Sequence, residues 1–148
     1  MFIVGDGELN LEIENKVYHL LKQGIDIVMT SWIFDIASFN AGMDIMCLTS
    51  KNEGTPVSLI EAQASNLPVI STDVGGVSDI VAENETGFII SRKDKRNFVD
   101  KLKIMVEQDE IRHKMKSKGW EHVHLRFSYK RLATDMESYY KRLLTQRN

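Results

Sequence analysis

One cysteine, two prolines and no apolar run of membrane-spanning length are what this 148-residue chain has least of. A single thiol, Cys47, closes no internal disulfide, which fits a reducing cytoplasm. Cys47 stands in the apolar run Ile45-Met46-Cys47-Leu48 and is expected to be core, since a reactive thiol needs exposure and a positive neighbourhood. No stretch approaches the roughly 20 apolar residues of a membrane helix, and Met1-Phe2-Ile3-Val4 is too short for a signal peptide. Nineteen basic against twenty-one acidic residues give a formal charge of -2, which excludes a global pull toward nucleic acid. Repeats, low-complexity tracts and linkers are also lacking, so residues 1–148 are expected to form a single domain with a real core.

What is present centres on the stretch from Ser50 to Gly76. The run Ile45–Leu48 reads as a buried strand. Thr55-Pro56 signals a helix start, because Thr caps free amides and Pro is pre-set for the first helical position. The helix is expected to end near Ser65, where Asn66 tolerates a left-handed cap and Pro68 cannot continue it. Val69-Ile70-Ser71-Thr72 is then the next strand. This β-α-β order brings its loops to the carboxyl ends of parallel strands, the usual ligand crevice of an α/β sheet. Glu53 falls in the first loop and Glu61 inside the helix, eight residues apart. In the second loop, Asp73-Val74-Gly75-Gly76-Val77, paired glycines allow a close backbone approach. Amides at two helix starts favour an anionic ligand such as a diphosphate, and carboxylates accept hydrogen bonds from hydroxyls.

Elsewhere the pattern predicts a strand at Met1–Val4, and a turn at Gly5-Asp6-Gly7 read as structural because it lacks the rest of a dinucleotide fingerprint. A helix from about Glu8 to Gln23 follows, with Leu9, Ile13, Val17, Leu20 and Leu21 on its apolar face. Ile25–Met29 is the second strand, and Ser31–Ile36 is the loop at its carboxyl end. Beyond Gly76 a short helix to Ala82, a turn at 84–87, a strand at Phe88–Ile90 and helices over 94–107, 109–120 and 128–146 complete the chain. His122 and His124 point in different directions on a helix and are not expected to bind metal. Tyr139-Tyr140 and Lys141-Arg142 mark either a partner surface or a solvated amphipathic face.

Taken together, Glu53-Gly54-Thr55-Pro56, Glu61-Ala62, Pro68-Val69, Thr72-Asp73-Val74-Gly75-Gly76 and Thr86-Gly87-Phe88 closely resemble the donor-binding half of retaining glycosyltransferases of family 4, which have the two-domain GT-B fold. The Glu-x7-Glu spacing is that family's signature. The resemblance extends through Val4-Gly5-Asp6-Gly7-Glu8-Leu9 and Trp32-x-x-Asp35-Ile36 to Asp44, over about residues 1 to 130. It implies a Rossmann-like parallel sheet flanked by helices and a hexosyltransferase acting on a nucleotide-diphosphate sugar, UDP-linked by expectation, with a glycan or lipid-linked acceptor. It further implies that Glu61 accepts the ribose hydroxyls, that Glu53 contacts the donor sugar as the catalytic-site carboxylate, and that the amides of Gly54, Thr55 and Val57, beside Pro56, and of Gly75 and Gly76 hold the sugar and diphosphate. No metal or other cofactor is required in that picture. Trp32 either flanks the base or packs under the next short helix, and Ser31 departs from the glycine usual there.

The family's donor domain begins one β-α unit earlier, and that unit brings an arginine and a lysine to the diphosphate; the acceptor domain precedes it. In the order 3-2-1-4-5-6 the absent strand is central. Three arrangements are expected: the sheet closes up, a second copy supplies a strand in a homodimer, or the chain is a piece of a longer polypeptide. Other classes are an inactive nucleotide-binding or assembly module and a sugar-nucleotide epimerase of the same fold. Peripheral membrane association is common in the family.

Overall fold

In the computed structural model the described residues are 1–146. They group into two compact units, Met1–Phe39 and the residues from Asn40 onward.

In the first unit, β1 (Phe2–Val4) and β2 (Val28–Thr30) pair in parallel, Phe2 opposite Val28, with the helix α1 (Asn10–Leu21) between them in sequence. The amino group of Met1 donates to the Asp26 carbonyl at 2.9 Å. Val17 and Ile27 are buried, and Phe2 meets Phe39 edge-on at 5.6 Å. The apolar face of α1 is narrower than its spacing predicts: Leu9 and Leu21 are exposed. After β2 the Asp35 carboxylate accepts from the Ser38 amide at 3.1 Å and caps a short helix, α2 (Ile36–Ala41). Hydrogen bonds from Ser38, first its hydroxyl and then its amide, hold the Asp35 carboxyl below the usual range.

In the second unit a three-stranded parallel sheet has the order β3-β4-β5, made of β3 (Met46–Leu48), β4 (Val69–Thr72) and β5 (Gly87–Ile90). The α/β class with parallel strands flanked by helices is as expected. All four residues of β4 are buried, as a central parallel strand covered on both faces requires. Alternation along β4 sends Val69 to one face, with Leu59 and Ala62 of α3 (Val57–Ala64) and Val77 and Ile80 of α4 (Val77–Ile80). Ile70 faces the other way, with Phe88, Ile90, Met105 of α5 (Lys95–Glu107) and Met115 of α6 (Asp109–Phe127). Burying a side chain such as Leu59 fully contributes about 1.5–3 kcal/mol.

Among the described residues each unit carries its own hydrogen-bonded sheet. Two expectations are corrected here. Cys47 is exposed: Met46 and Leu48 turn to the core around Leu59, and the alternation of β3 puts the thiol on the opposite face. Apolar surroundings still desolvate its thiolate and push the thiol from 9.0 up to about 11. Finally, α6 continues past Trp120 to Phe127, because no breaker intervenes until Ser128 turns extended and accepts from the Arg131 amide at 3.4 Å, starting α7 (Tyr129–Thr145). No residue of α7 is buried, and Tyr139 and Tyr140 lie with Leu132 and Met136 on its exposed apolar side. Among the described residues no helix is long and apolar enough to cross a membrane.

Candidate functional site

The loops that follow β3 and β4 lie side by side at the carboxyl edge of the sheet. Thr72, the last residue of β4, donates its hydroxyl to the Ser50 carbonyl at 2.7 Å and ties the start of the first loop to the strand beside it. Pro56, at φ -71 and ψ 92, occupies the cap position of α3, one place earlier than expected, and no side chain caps the helix. Thr55 is therefore not the cap, since the extended Pro56 separates it from the first helical residue. The far end of α3 matches its signal: Asn66 adopts φ 57 and Ser65 closes on the Glu61 carbonyl at 3.1 Å.

The second loop explains the paired glycines. Gly75 sits at φ 53, a left-handed conformation, and a Cβ built there meets the Glu53 carbonyl oxygen at 1.7 Å. A Cβ at Gly76 meets the Gly54 carbonyl oxygen at 2.6 Å, and the Gly76 amide donates to that same oxygen at 2.9 Å. The two loops are thus joined backbone to backbone, which only glycine permits at both positions. Of the amides expected to face a diphosphate, that of Gly76 is taken up inside the protein. Those of Gly54, Thr55 and Gly75 make no hydrogen bond among the described residues.

Glu53 and Glu61 are half-buried, and neither side chain has a hydrogen bond or ion pair among the described residues. Val57 is exposed and Pro56 buried at the start of α3. Two cavities, of about 300 and 200 Å³, lie elsewhere, one bounded by α5 and α6 and one by the Gly5-Asp6-Gly7 turn of the first unit. Trp32 belongs to that first unit and is 72% exposed, so it does not pack under the helix that follows.

Sequence reasoning missed the residues that steady the frame behind the site. Gln63, fully buried, donates from Nε2 to the Leu59 carbonyl at 3.0 Å and to the Ile80 carbonyl at 3.3 Å. The His122 ring bonds the same Ile80 carbonyl at 2.9 Å, while His124 stacks on Trp120 at 4.4 Å. A Cβ at Gly119 meets the Gln63 carbonyl oxygen at 2.9 Å, so α6 crosses α3 in close contact. The available signal was a glutamine and a glycine each interrupting an otherwise periodic helix.

The sequence profile of the family described as glycosyl transferases group 1 matches residues 1–122. The chain belongs to this family. Members similar to it include the capsular polysaccharide biosynthesis glycosyltransferase CapM of Staphylococcus aureus, 29% identical over 99% of this chain and 38% of CapM. A D-inositol 3-phosphate glycosyltransferase of Corynebacterium efficiens is 35% identical over 69% of this chain and 24% of its own length. Among solved structures, sucrose-phosphate synthase of Thermosynechococcus elongatus superposes with TM-score 0.81 at 20% identity, over 98% of this chain and 38% of the synthase. Anabaena HepE in complex with UDP gives 0.77 at 19% identity, over 93% of this chain and 40% of that one. The chain spans between 23% and 40% of the length of the curated relatives it matches.

Proposed function

We propose that this chain is the nucleotide-sugar-binding part of a retaining, family 4 glycosyltransferase of GT-B architecture. Its parent moves a hexose-type sugar from a UDP-linked donor to a glycan or lipid-linked acceptor. The observation that carries the reading is that Glu53 and Glu61, both half-buried, have no side-chain partner among the described residues, while two loops joined at Gly54 and Gly76 leave the amides of Gly54, Thr55 and Gly75 open. Relatives support the donor class: one is named for UDP-Gal as its donor, and HepE is solved with UDP.

In this reading Glu61 accepts the ribose hydroxyls as charge-assisted hydrogen bonds, and Glu53 accepts from hydroxyls of the donor sugar and orients it at the reacting carbon. The amides of Gly54, Thr55 and Gly75, with the start of α3, stabilise the negative charge that develops on the leaving diphosphate, so no metal is invoked. Gly76 acts by holding the loops in place. The parent works in the cytoplasm, peripheral to the membrane, and binds its acceptor through a separate domain, so this chain by itself binds donor without transferring it.

Ligand-detected NMR with UDP, UDP-glucose, UDP-N-acetylglucosamine and GDP tests the proposal, because it registers millimolar affinities. UDP compounds are expected to bind in preference to GDP, and Glu61→Ala to weaken UDP by about 1.5–3 kcal/mol, roughly ten- to a hundredfold. Unfolding free energy is expected to change by less than about 0.5 kcal/mol in Glu61→Ala and Glu53→Ala, since neither carboxylate is bonded within the protein. Equal binding of UDP by the Glu61 variant sinks the assignment of that residue.

A further inference from the structure

The cavity of about 300 Å³ lies at the other edge of the sheet from the glutamates. Phe88, which lines it, is the second residue of β5, whereas Glu53 and Gly75 lie beyond the last residues of β3 and β4, and all three strands are parallel. Ile104 of α5 and Ile111 and Met115 of α6 add apolar lining, and Lys101 and Lys114 add two ammonium groups. The volume is at the small end of the range for small-molecule sites.

The charges around it are sorted. Lys103 pairs with Glu107 at 3.7 Å, Lys118 with Glu85 at 3.2 Å, and Arg112 with Asp109. Among the described residues Lys101 and Lys114 have no carboxylate within 4 Å. The Lys101 ammonium instead lies 4.5 Å from the centre of the Phe88 ring, a weak contact that leaves its charge available. The whole chain is divided in the same sense. Three Lys and Arg face thirteen Asp and Glu through Ser91, and sixteen face eight beyond it, so a segment of net charge -10 precedes one of +8. The cavity is built chiefly from the positive segment, whose field concentrates anions near it.

We propose that this cavity is a second ligand site, distinct from the glutamate crevice, which takes an organic phosphate with a short apolar body. The phosphate dianion matches the two unpaired lysines, which bind phosphate as point charges, and the apolar body covers Phe88, Ile104, Ile111 and Met115. The same chemistry is offered by a soluble phosphate ester and by an anionic lipid headgroup.

The test is a methyl and amide NMR titration of the chain with hexyl phosphate, hexanol and inorganic phosphate. Hexyl phosphate is expected to shift the methyl signals of Ile104, Ile111 and Met115 and leave the Gly75 amide unmoved, with hexanol and inorganic phosphate at least about tenfold weaker. The double variant Lys101→Gln/Lys114→Gln, whose changes are on the surface, is expected to keep the amide spectrum and lose at least about tenfold in affinity for hexyl phosphate. Methyl signals that stay still, hexanol binding as tightly as hexyl phosphate, or an unaffected double variant would overturn the site. Phosphatidylglycerol vesicles separate the two sources. Vesicle binding that the double variant loses identifies a lipid headgroup, and hexyl phosphate binding without vesicle binding identifies a soluble ester; both support the site.

Discussion

The amide of Gly76 donates to the carbonyl oxygen of Gly54 at 2.9 Å, and one residue earlier the α-carbon of Gly75 presses on the Glu53 carbonyl so closely that a methyl there would lie 1.7 Å from the oxygen. The loop carrying the first glutamate and the loop after β4 are therefore one unit, and the position of Glu53 depends on what stands at 75.

Gly75→Ala meets two penalties. The left-handed backbone costs a non-glycine residue about 1–2 kcal/mol, and the clash is with backbone, which has no rotamer to escape into. We expect a loss of at least about 2 kcal/mol in urea unfolding, with the Glu53 and Gly54 amide signals displaced. Displaced signals with unchanged stability would show that the loops part without cost.

Gly119→Ala sets two effects against each other. In the middle of α6, alanine gains about 1 kcal/mol in helix propensity over glycine. Its Cβ would lie 2.9 Å from the Gln63 carbonyl oxygen, and overpacking against backbone costs about 1–3 kcal/mol. The clash wins, and a net destabilisation of up to about 2 kcal/mol is expected in denaturant titration. A stabilised variant would mean that α6 shifts away from α3 freely.

Cys47 is exposed yet holds its proton tightly, so iodoacetamide should alkylate the folded chain slowly at pH 8 and reach half its maximal rate near pH 11 rather than 9.0. The sign follows from the raised folded value. The neutral thiol is favoured by folding, so its contribution to stability is fully present below about pH 9 and is lost as pH rises toward about 11. With one cysteine in the chain, the alkylation rate reports this group alone. A half-maximal rate near the unfolded value would mean that the thiolate is hydrated.

Much of the fold was legible because its signals are local. The expected strand Val69–Thr72 appears with those bounds, Asn66 adopts the left-handed cap its side chain permits, and Asp94 caps α5 by accepting from Asn97 at 3.0 Å. The Glu53, Glu61 and Gly75-Gly76 pattern located the candidate site on one edge of the sheet. Other features were less legible. Thr55 looked like a cap until the conformation of Pro56 moved the helix start, α6 outran its expected end at Trp120, and Cys47, in an apolar run, turned outward.

Residue order by itself determined the alternation of parallel strands and helices, the places where helices stop, and family membership, since periodicity, capping and motif spacing act within a few residues along the chain. Tertiary structure alone decided that the Gly76 amide serves Gly54 rather than a ligand, that Gln63 and His122 share the Ile80 carbonyl, and that the described strands form two sheets. Each of those outcomes is a pairing of polar groups more than fifteen residues apart or a choice of strand neighbour. Such pairings follow from how whole elements pack and where every buried polar group finds its partner, which no short window of sequence specifies.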